Sequence, residues 1–151
     1  MIKEELNLLA TIESQDNFEQ LMSTVSDVIS HFSRIKSNIS KFFAPVCRAT
    51  FMSSFGKSTV DLICERVVAL DDIAVDACTP LDMVLNKCSE LEGYESTVAE
   101  DLRFMLRSSL SEITGMWKTG ETGLSKEQVR SLIRALFSNT EHRSNALALI
   151  K

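Results

Sequence analysis

The chain has 151 residues, of which 44% are hydrophobic and 25% charged, a composition typical of one globular domain. The net charge of −5 disfavours a general role in binding nucleic acids. No apolar run approaches the roughly 20 residues that a membrane-spanning helix needs, and acids interrupt the first apolar stretch, which predicts no signal peptide and no direct membrane insertion.

Apolar residues at a spacing of three or four predict helices along the whole chain. A short stripe from Ile2 to Ile12 comes first. A second stripe starts with a predicted cap at Asp16 and runs from Phe18 to Phe42, until Pro45 ends the helix. The apolar face of a third helix extends from Phe51 to Leu70.

Capping signals predict where the later helices begin and end. Thr79 followed by Pro80 has the pattern of an N-cap with a proline in the first helical turn, and Gly93 should end that helix. Thr97 is the predicted cap of the next helix, whose apolar stripe runs to Trp117.

After a loop at residues 118–123, two helix starts follow closely. Ser125 with Gln128, and Ser138 with Glu141, both have the spacing of a capping box. The apolar face between them is continuous and predicts core residues, namely Val129, Leu132, Ile133, Leu136 and Phe137. Amphipathic helices without strand-like alternation predict an all-α protein, an elongated antiparallel helical bundle forming a single domain over residues 1–151.

No pattern predicts a catalytic residue, a cofactor or a metal site. The GKST fragment at 56–59 lacks the upstream glycine of a phosphate-binding loop and lies in a helical pattern. The acids near Asp71 lack the glycine of a calcium loop. The cysteines form no CxxC pair and fit small buried hydrophobes in a reducing compartment, although a regulatory thiol or metal role stays open for Cys47, Cys64, Cys78 and Cys88.

Basic residues cluster in the C-terminal third, at Arg103, Arg107, Lys118, Arg130, Arg134 and Arg143. One interpretation is a solvated face with helical pairs such as Glu127 and Arg130. The other is a docking surface for an acidic helical partner.

The closing residues carry a more specific signal. The LIRALF run at 132–137 is followed by Asn139-Thr140-Glu141, by Arg143 and by an alanine-leucine ending before Ile150. In this order and spacing, these residues resemble the extreme C-terminus of the zeste-white-ten family of kinetochore and vesicle-tethering proteins. VVALDDI at 67–73 is a weaker match to the same family.

The resemblance implies a tethering-complex (CATCHR-like) C-terminal domain, a fragment of a longer protein with an N-terminal coiled coil. It implies a non-catalytic subunit of the Rod–Zwilch kinetochore complex, which recruits dynein and supports the spindle checkpoint, or of an ER tethering complex for Golgi-derived vesicles. The protein would be cytoplasmic, at kinetochores in mitosis and peripheral at the ER membrane.

The expected direct partner is a Rod-like or NAG-like α-solenoid subunit, with Zwilch in the same complex and with dynein–dynactin and ER SNAREs reached indirectly. The candidate partner contacts are residues of the closing segment that do not belong to the predicted core: Arg130, Arg134, Asn139, Glu141 and Arg143. The alternatives are a domain that only caps a longer helical rod and the thiol or metal module.

Overall fold

The computed structural model describes residues 15–91, 94 and 96–150, and every regular element in this part of the chain is helical. The α-helices are α1 (Gln15–Ile39), α2 (Pro45–Val68), α3 (Val75–Lys87), α4 (Thr97–Arg107), α5 (Leu110–Thr119), α6 (Lys126–Leu136) and α7 (Glu141–Leu149), with a 3₁₀ turn at Cys88–Glu90. The predicted all-α class is confirmed. The stripe from Ile2 to Ile12 and the predicted helix end at Gly93 lie outside the described residues.

Two long helices form the first part of the described chain. Helices α1 and α2 have 25 and 24 residues, so each is about 37 Å long at the α-helical rise of 1.5 Å per residue. A short turn at residues 40–44 joins them into an antiparallel hairpin. Helix α1 packs against α3, and α2 packs against α4 and α6. Helix α3 packs on α4, while α5 and α6 both pack on α7.

One apolar cluster connects the hairpin with the C-terminal helices. It extends from Val25 on α1 to Ile150 after α7, and its largest fully buried side chains include Met52, Leu81, Leu102, Ile113, Leu132 and Ile133. The prediction that Leu132 and Ile133 are core residues is therefore confirmed. Leu136 and Phe137, predicted with them, are half-buried and pack at the edge of the cluster.

The prolines occupy different places from those predicted. Pro45 opens α2 rather than only ending the helix before it, and α1 ends at Ile39. The predicted cap at Thr79 is wrong, because α3 begins at Val75 and contains Pro80 in its interior. The missing N–H of Pro80 removes one helical bond close to the helix start, and the longer helix gains a buried contact at Ala77.

The stripe predicted as one helix up to Trp117 is two helices. Ser108 leaves the helical conformation, and Ser109 begins α5 with a capping box in which Glu112 reaches back to the Ser109 N–H at 2.7 Å. This local box competes with continuation of α4. The cap of α4 is Ser96, whose hydroxyl accepts from the Ala99 N–H at 3.2 Å, and not Thr97 as predicted.

The two predicted starts near the end of the chain have different outcomes. The box of Ser125 and Gln128 is confirmed, with hydrogen bonds of 2.7 and 3.2 Å. The cap predicted at Ser138 is wrong: Thr140 accepts from the Arg143 N–H at 3.3 Å. The chain is extended at Phe137 after α6, so α7 begins later than the sequence spacing indicates.

Alanine substitutions at these caps test the assignment. Ser125→Ala and Thr140→Ala should each lower the free energy of unfolding by about 0.5–2 kcal/mol, because each removes the acceptor for a first-turn N–H. Ser138→Ala, at an exposed position, should change it by less than about 0.5 kcal/mol. Urea denaturation measures all three, and a loss at Ser138 equal to that at Thr140 would contradict the assigned cap.

Candidate partner-binding groove

A groove of about 880 Å³ runs between α6 and α7 at the end of the chain. We name it the α6–α7 groove, and its lining residues are Lys126, Glu127, Arg130, Arg134, Ser144, Leu147, Ala148 and Ile150. Two of the predicted contacts, Arg130 and Arg134, lie together in it. The other three, Asn139, Glu141 and Arg143, are not among its lining residues.

Arg130 is held at the groove by the backbone of α7. Its Nη1 donates hydrogen bonds to the carbonyl oxygens of Leu147 at 2.6 Å and Ile150 at 2.9 Å. The last carbonyls of a helix have no partner within the helix, and a cation there also complements the helix dipole. The predicted ion pair of Arg130 with Glu127 is wrong, because the guanidinium group faces these carbonyls instead.

Arg143 makes the reciprocal contact. From the first turn of α7, its Nη1 donates to the carbonyls of Phe137 at 2.7 Å and Arg134 at 3.2 Å, at the end of α6. A cation in the first turn is unfavourable for its own helix dipole, and here the guanidinium group bonds to the end of the other helix. The Ile73 N–H adds a bond of 2.9 Å to the Ala135 carbonyl.

The other predicted contacts are open to solvent. Arg134, Asn139 and Glu141 are exposed, and Glu141 lies in the first turn of α7, where a carboxylate complements the helix dipole. Sequence reasoning missed Lys126, which is exposed and lines the groove. Its signal was present, since Lys126, Arg130 and Arg134 recur at intervals of four and therefore lie on one helix face.

Part of the predicted basic cluster belongs to a different contact. Arg103 on α4 forms an ion pair with Asp82 on α3 at 2.9 Å, and Arg107 approaches the same carboxylate at 3.6 Å. Arg103 and Asp82 are only 15% and 17% exposed, so this pair holds the two helices together. The basic lining of the α6–α7 groove is therefore a smaller feature than the whole predicted cluster.

The cysteines are free thiols with little tendency to ionise where they are buried. Burial raises the pKa of Cys64 to about 12 and that of Cys88 to about 11, and it also raises the pKa of Cys78. Within residues 15–91, 94 and 96–150, no group of three or more His, Cys, Asp or Glu side chains is placed to hold a metal ion. The buried Cys64 and Cys88 are therefore poor candidates for a reactive thiol, whereas Cys47 is exposed.

The helices and the groove together define the class of the protein, which is an all-α domain with a basic groove at its C-terminal end. Residues 94–150, which include α4 to α7, match the family of ZW10 C-terminal helical domains. This segment is therefore a ZW10 C-terminal helical domain, and the resemblance to the zeste-white-ten (ZW10) family that the terminal motif predicted is confirmed. The whole α6–α7 groove lies inside the matched segment.

Individual relatives agree with the family match. The mouse centromere/kinetochore protein zw10 homolog is 27% identical over 172 aligned positions, which cover 94% of this chain and 22% of that protein. The rat homolog is 46% identical over 56 positions, covering 34% of this chain and 7% of its own length. The Drosophila melanogaster centromere/kinetochore protein zw10 is 31% identical over 121 positions, covering 70% and 17%. The chain thus spans about a fifth of the length of the mouse relative.

Removing the hydrogen bonds of Arg130 should destabilise the packing of α7 on α6. Arg130→Ala should lower the free energy of unfolding by about 1–3 kcal/mol, because two carbonyls lose their donor in a partly buried place. Arg134→Ala, at an exposed arginine on the same helix, is the matched control and should cost less than about 0.5 kcal/mol. Urea denaturation gives both values, and equal losses would contradict the structural role of Arg130.

The buried thiols should be slow to react and should make stability depend on alkaline pH. A thiol reagent should label the exposed Cys47 first, and Cys64 and Cys88 only after unfolding. Because the folded pKa values of Cys64 and Cys88 lie above the ordinary 9.0, the unfolded chain ionises first, and stability falls as the pH rises from about 9 towards 11. A Cys64→Ala/Cys88→Ala variant should show a smaller fall in melting temperature over this range, and an unchanged pH dependence would contradict the prediction.

Proposed function

We propose that the chain is a non-catalytic protein-interaction domain of a ZW10-type subunit, and that residues 1–151 form one domain at the C-terminal end of a longer protein. The family match at 94–150 and the names of the relatives, which are centromere/kinetochore proteins, support this proposal. In it, the protein acts at kinetochores in a Rod–Zwilch complex that recruits dynein and supports the spindle checkpoint. The same subunit would also act peripherally at the ER, in a tethering complex for Golgi-derived vesicles that contacts ER SNAREs.

The α6–α7 groove is the observation that carries the proposal. Its lining contains three cations and one acid, in a chain that is acidic as a whole. Lys126 and Arg134 are exposed along α6, while half-buried Leu147 and exposed Ala148 supply apolar surface on the side of α7. A helix with one apolar face and acidic flanks matches this lining, because such helices bind in grooves through apolar anchors and are oriented by charge.

In this proposal the residues in and around the groove have different roles. Arg130 already donates to two backbone carbonyls, so its main role is to shape the groove. Lys126 and Arg134 have exposed side chains that can meet a partner's carboxylates. Asn139, in the loop between α6 and α7, and Glu141, in the first turn of α7, would flank the bound helix. The proposed donor of that helix is the Rod-like or NAG-like α-solenoid subunit.

A charge-reversal pair tests the groove. Lys126→Glu/Arg134→Glu should weaken binding of the purified Rod-like or NAG-like subunit about tenfold, mainly through slower association, because rim charges steer encounter. The melting temperature should stay nearly unchanged, since the first substitution suits the helix dipole at the start of α6 and the second opposes it at the end.

Lys118→Glu is the matched control for this pair. It also reverses an exposed cation in the last turn of a helix, α5, and Lys118 does not line the groove. Biolayer interferometry with the full chain measures the association rates. Failure of the unaltered chain to bind, or an equal loss for Lys118→Glu, would overturn the assignment of the groove. Binding that is unaffected by every groove variant would instead favour a domain that only caps a helical rod.

A further inference from the structure

The turn between α1 and α2 projects from the rest of the fold. Phe32 on α1 and Met52 on α2 are buried, but no residue between them is. Each arm continues for about seven helical residues beyond its last buried side chain, which is roughly 10 Å at the α-helical rise. We call residues 33–51 the hairpin tip; Ile35 and Ile39 in it are half-buried against the apolar cluster, and residues 40–47 are all exposed.

The hairpin tip is apolar at its end. Phe42 is 83% exposed, Phe43 is 56% exposed and Val46 is 77% exposed. Phe43 and Val46 also line an apolar groove of about 480 Å³, together with Ile39, Cys47, Thr50 and Phe51. Soluble proteins rarely display large apolar side chains as a contiguous group unless the group binds something.

A stack of three aromatic rings connects the tip to the core. The ring of Phe51 lies 6.3 Å from that of Phe55, which lies 5.3 Å from the buried ring of Phe32. Both pairs are nearly parallel, with interplanar angles of 11° and 10°. Such stacking adds to the burial of the rings, so the two arms are held together just where they leave the core.

The charge of this segment is opposite to that of the chain. Between Asp27 and Asp61 the sequence contains no acidic residue and five basic ones, Arg34, Lys36, Lys41, Arg48 and Lys57, although the net charge of the whole chain is −5. Lys41 and Arg48 lie on either side of the exposed Phe42, Phe43 and Val46. The hairpin tip therefore combines a protruding apolar end with a surrounding band of positive charge.

We propose that the hairpin tip binds an anionic membrane surface, with Phe42, Phe43 and Val46 inserted among the lipids and the basic residues on the headgroups. Aromatic side chains favour the membrane interface, and clustered Lys and Arg residues bind anionic lipids. A bilayer receives exposed apolar side chains without a shape-matched surface, whereas a protein partner of this tip would need one. A tip of roughly 10 Å is as long as the depth of about 5–10 Å that interfacial elements reach.

This contact is shallow, and it differs from a membrane span. Among the described helices, none is long and apolar enough to cross a membrane. The absence of a long apolar run from the sequence predicts no direct membrane insertion, but three exposed side chains near one turn can insert shallowly without such a run. The proposal is independent of the α6–α7 groove, because the hairpin tip lies outside the matched residues 94–150.

Vesicle binding by the full chain tests the proposal. Sedimentation with phosphatidylcholine vesicles that contain phosphatidylserine should carry down the protein, and pure phosphatidylcholine should bind it at least about tenfold more weakly. Phe42→Ser/Phe43→Ser and Lys41→Glu/Arg48→Glu should each weaken binding about tenfold, and high salt should weaken it as well. All altered positions are exposed or half-buried, so circular dichroism should show unchanged helix content.

Two matched controls and one direct readout complete the experiment. Val75→Ser removes an apolar side chain that is 86% exposed elsewhere, and Lys118→Glu reverses a distant cation; both should bind normally. In a Trp117→Phe background, Phe42→Trp should show blue-shifted emission with anionic vesicles. No sedimentation of the unaltered chain, or normal binding by the tip variants, would overturn the proposal. So would a dimer in ultracentrifugation that Phe42→Ser/Phe43→Ser dissociates while no vesicles bind, since a second copy would then cover the tip.

Discussion

The packing of α6 against α7 depends on two reciprocal contacts, in which an arginine of each helix donates hydrogen bonds to the other. These helices have 11 and 9 residues, and isolated helices of that length are marginal in water. Each supplies a guanidinium group to the carbonyls at the end of the other, so that the groups which would fray first are tied across the pair. Buried Leu132, Ile133 and Ile150 then fix the pair to the core. The groove between the helices exists because this contact sets their separation and orientation.

The periodicity of the sequence was enough to predict the class, the helical character of each described segment and the deepest residues of α6. Local competition explains the errors. Ser109 and Thr140 had rival caps or rival helix continuations within a few residues, and the choice among them depended on packing that the local sequence does not contain. Pro80 is accepted inside α3 because the buried face continues on both sides of it, at Ala77 and Leu81.

The candidate groove was predictable to a different degree. Spacing alone places Lys126, Arg130 and Arg134 on one face of α6, although only the two arginines are among the predicted contacts. The roles of Arg130 and Arg143 could not be predicted, because their acceptors are backbone carbonyls, which every residue carries. The projecting end of the hairpin was similarly hidden, since exposed and buried phenylalanines look alike until the core is known. The two proposed surfaces lie on separate parts of the fold: the α6–α7 groove is inside the segment that matches the family, and the hairpin tip is outside it.

The acceptors in the two reciprocal arginine contacts have a consequence for how this region can diverge. A carbonyl oxygen persists whatever side chain stands at Leu147, Phe137 or Ile150, so substitution there leaves the hydrogen-bond acceptor in place. The donors have no such freedom, because only a long side chain with several N–H groups can reach two carbonyls at once. Most surface residues of α6 and α7, including those that would contact a partner, can therefore be substituted without loss of the packing between the two helices. Only the two donors, Arg130 and Arg143, have to stay.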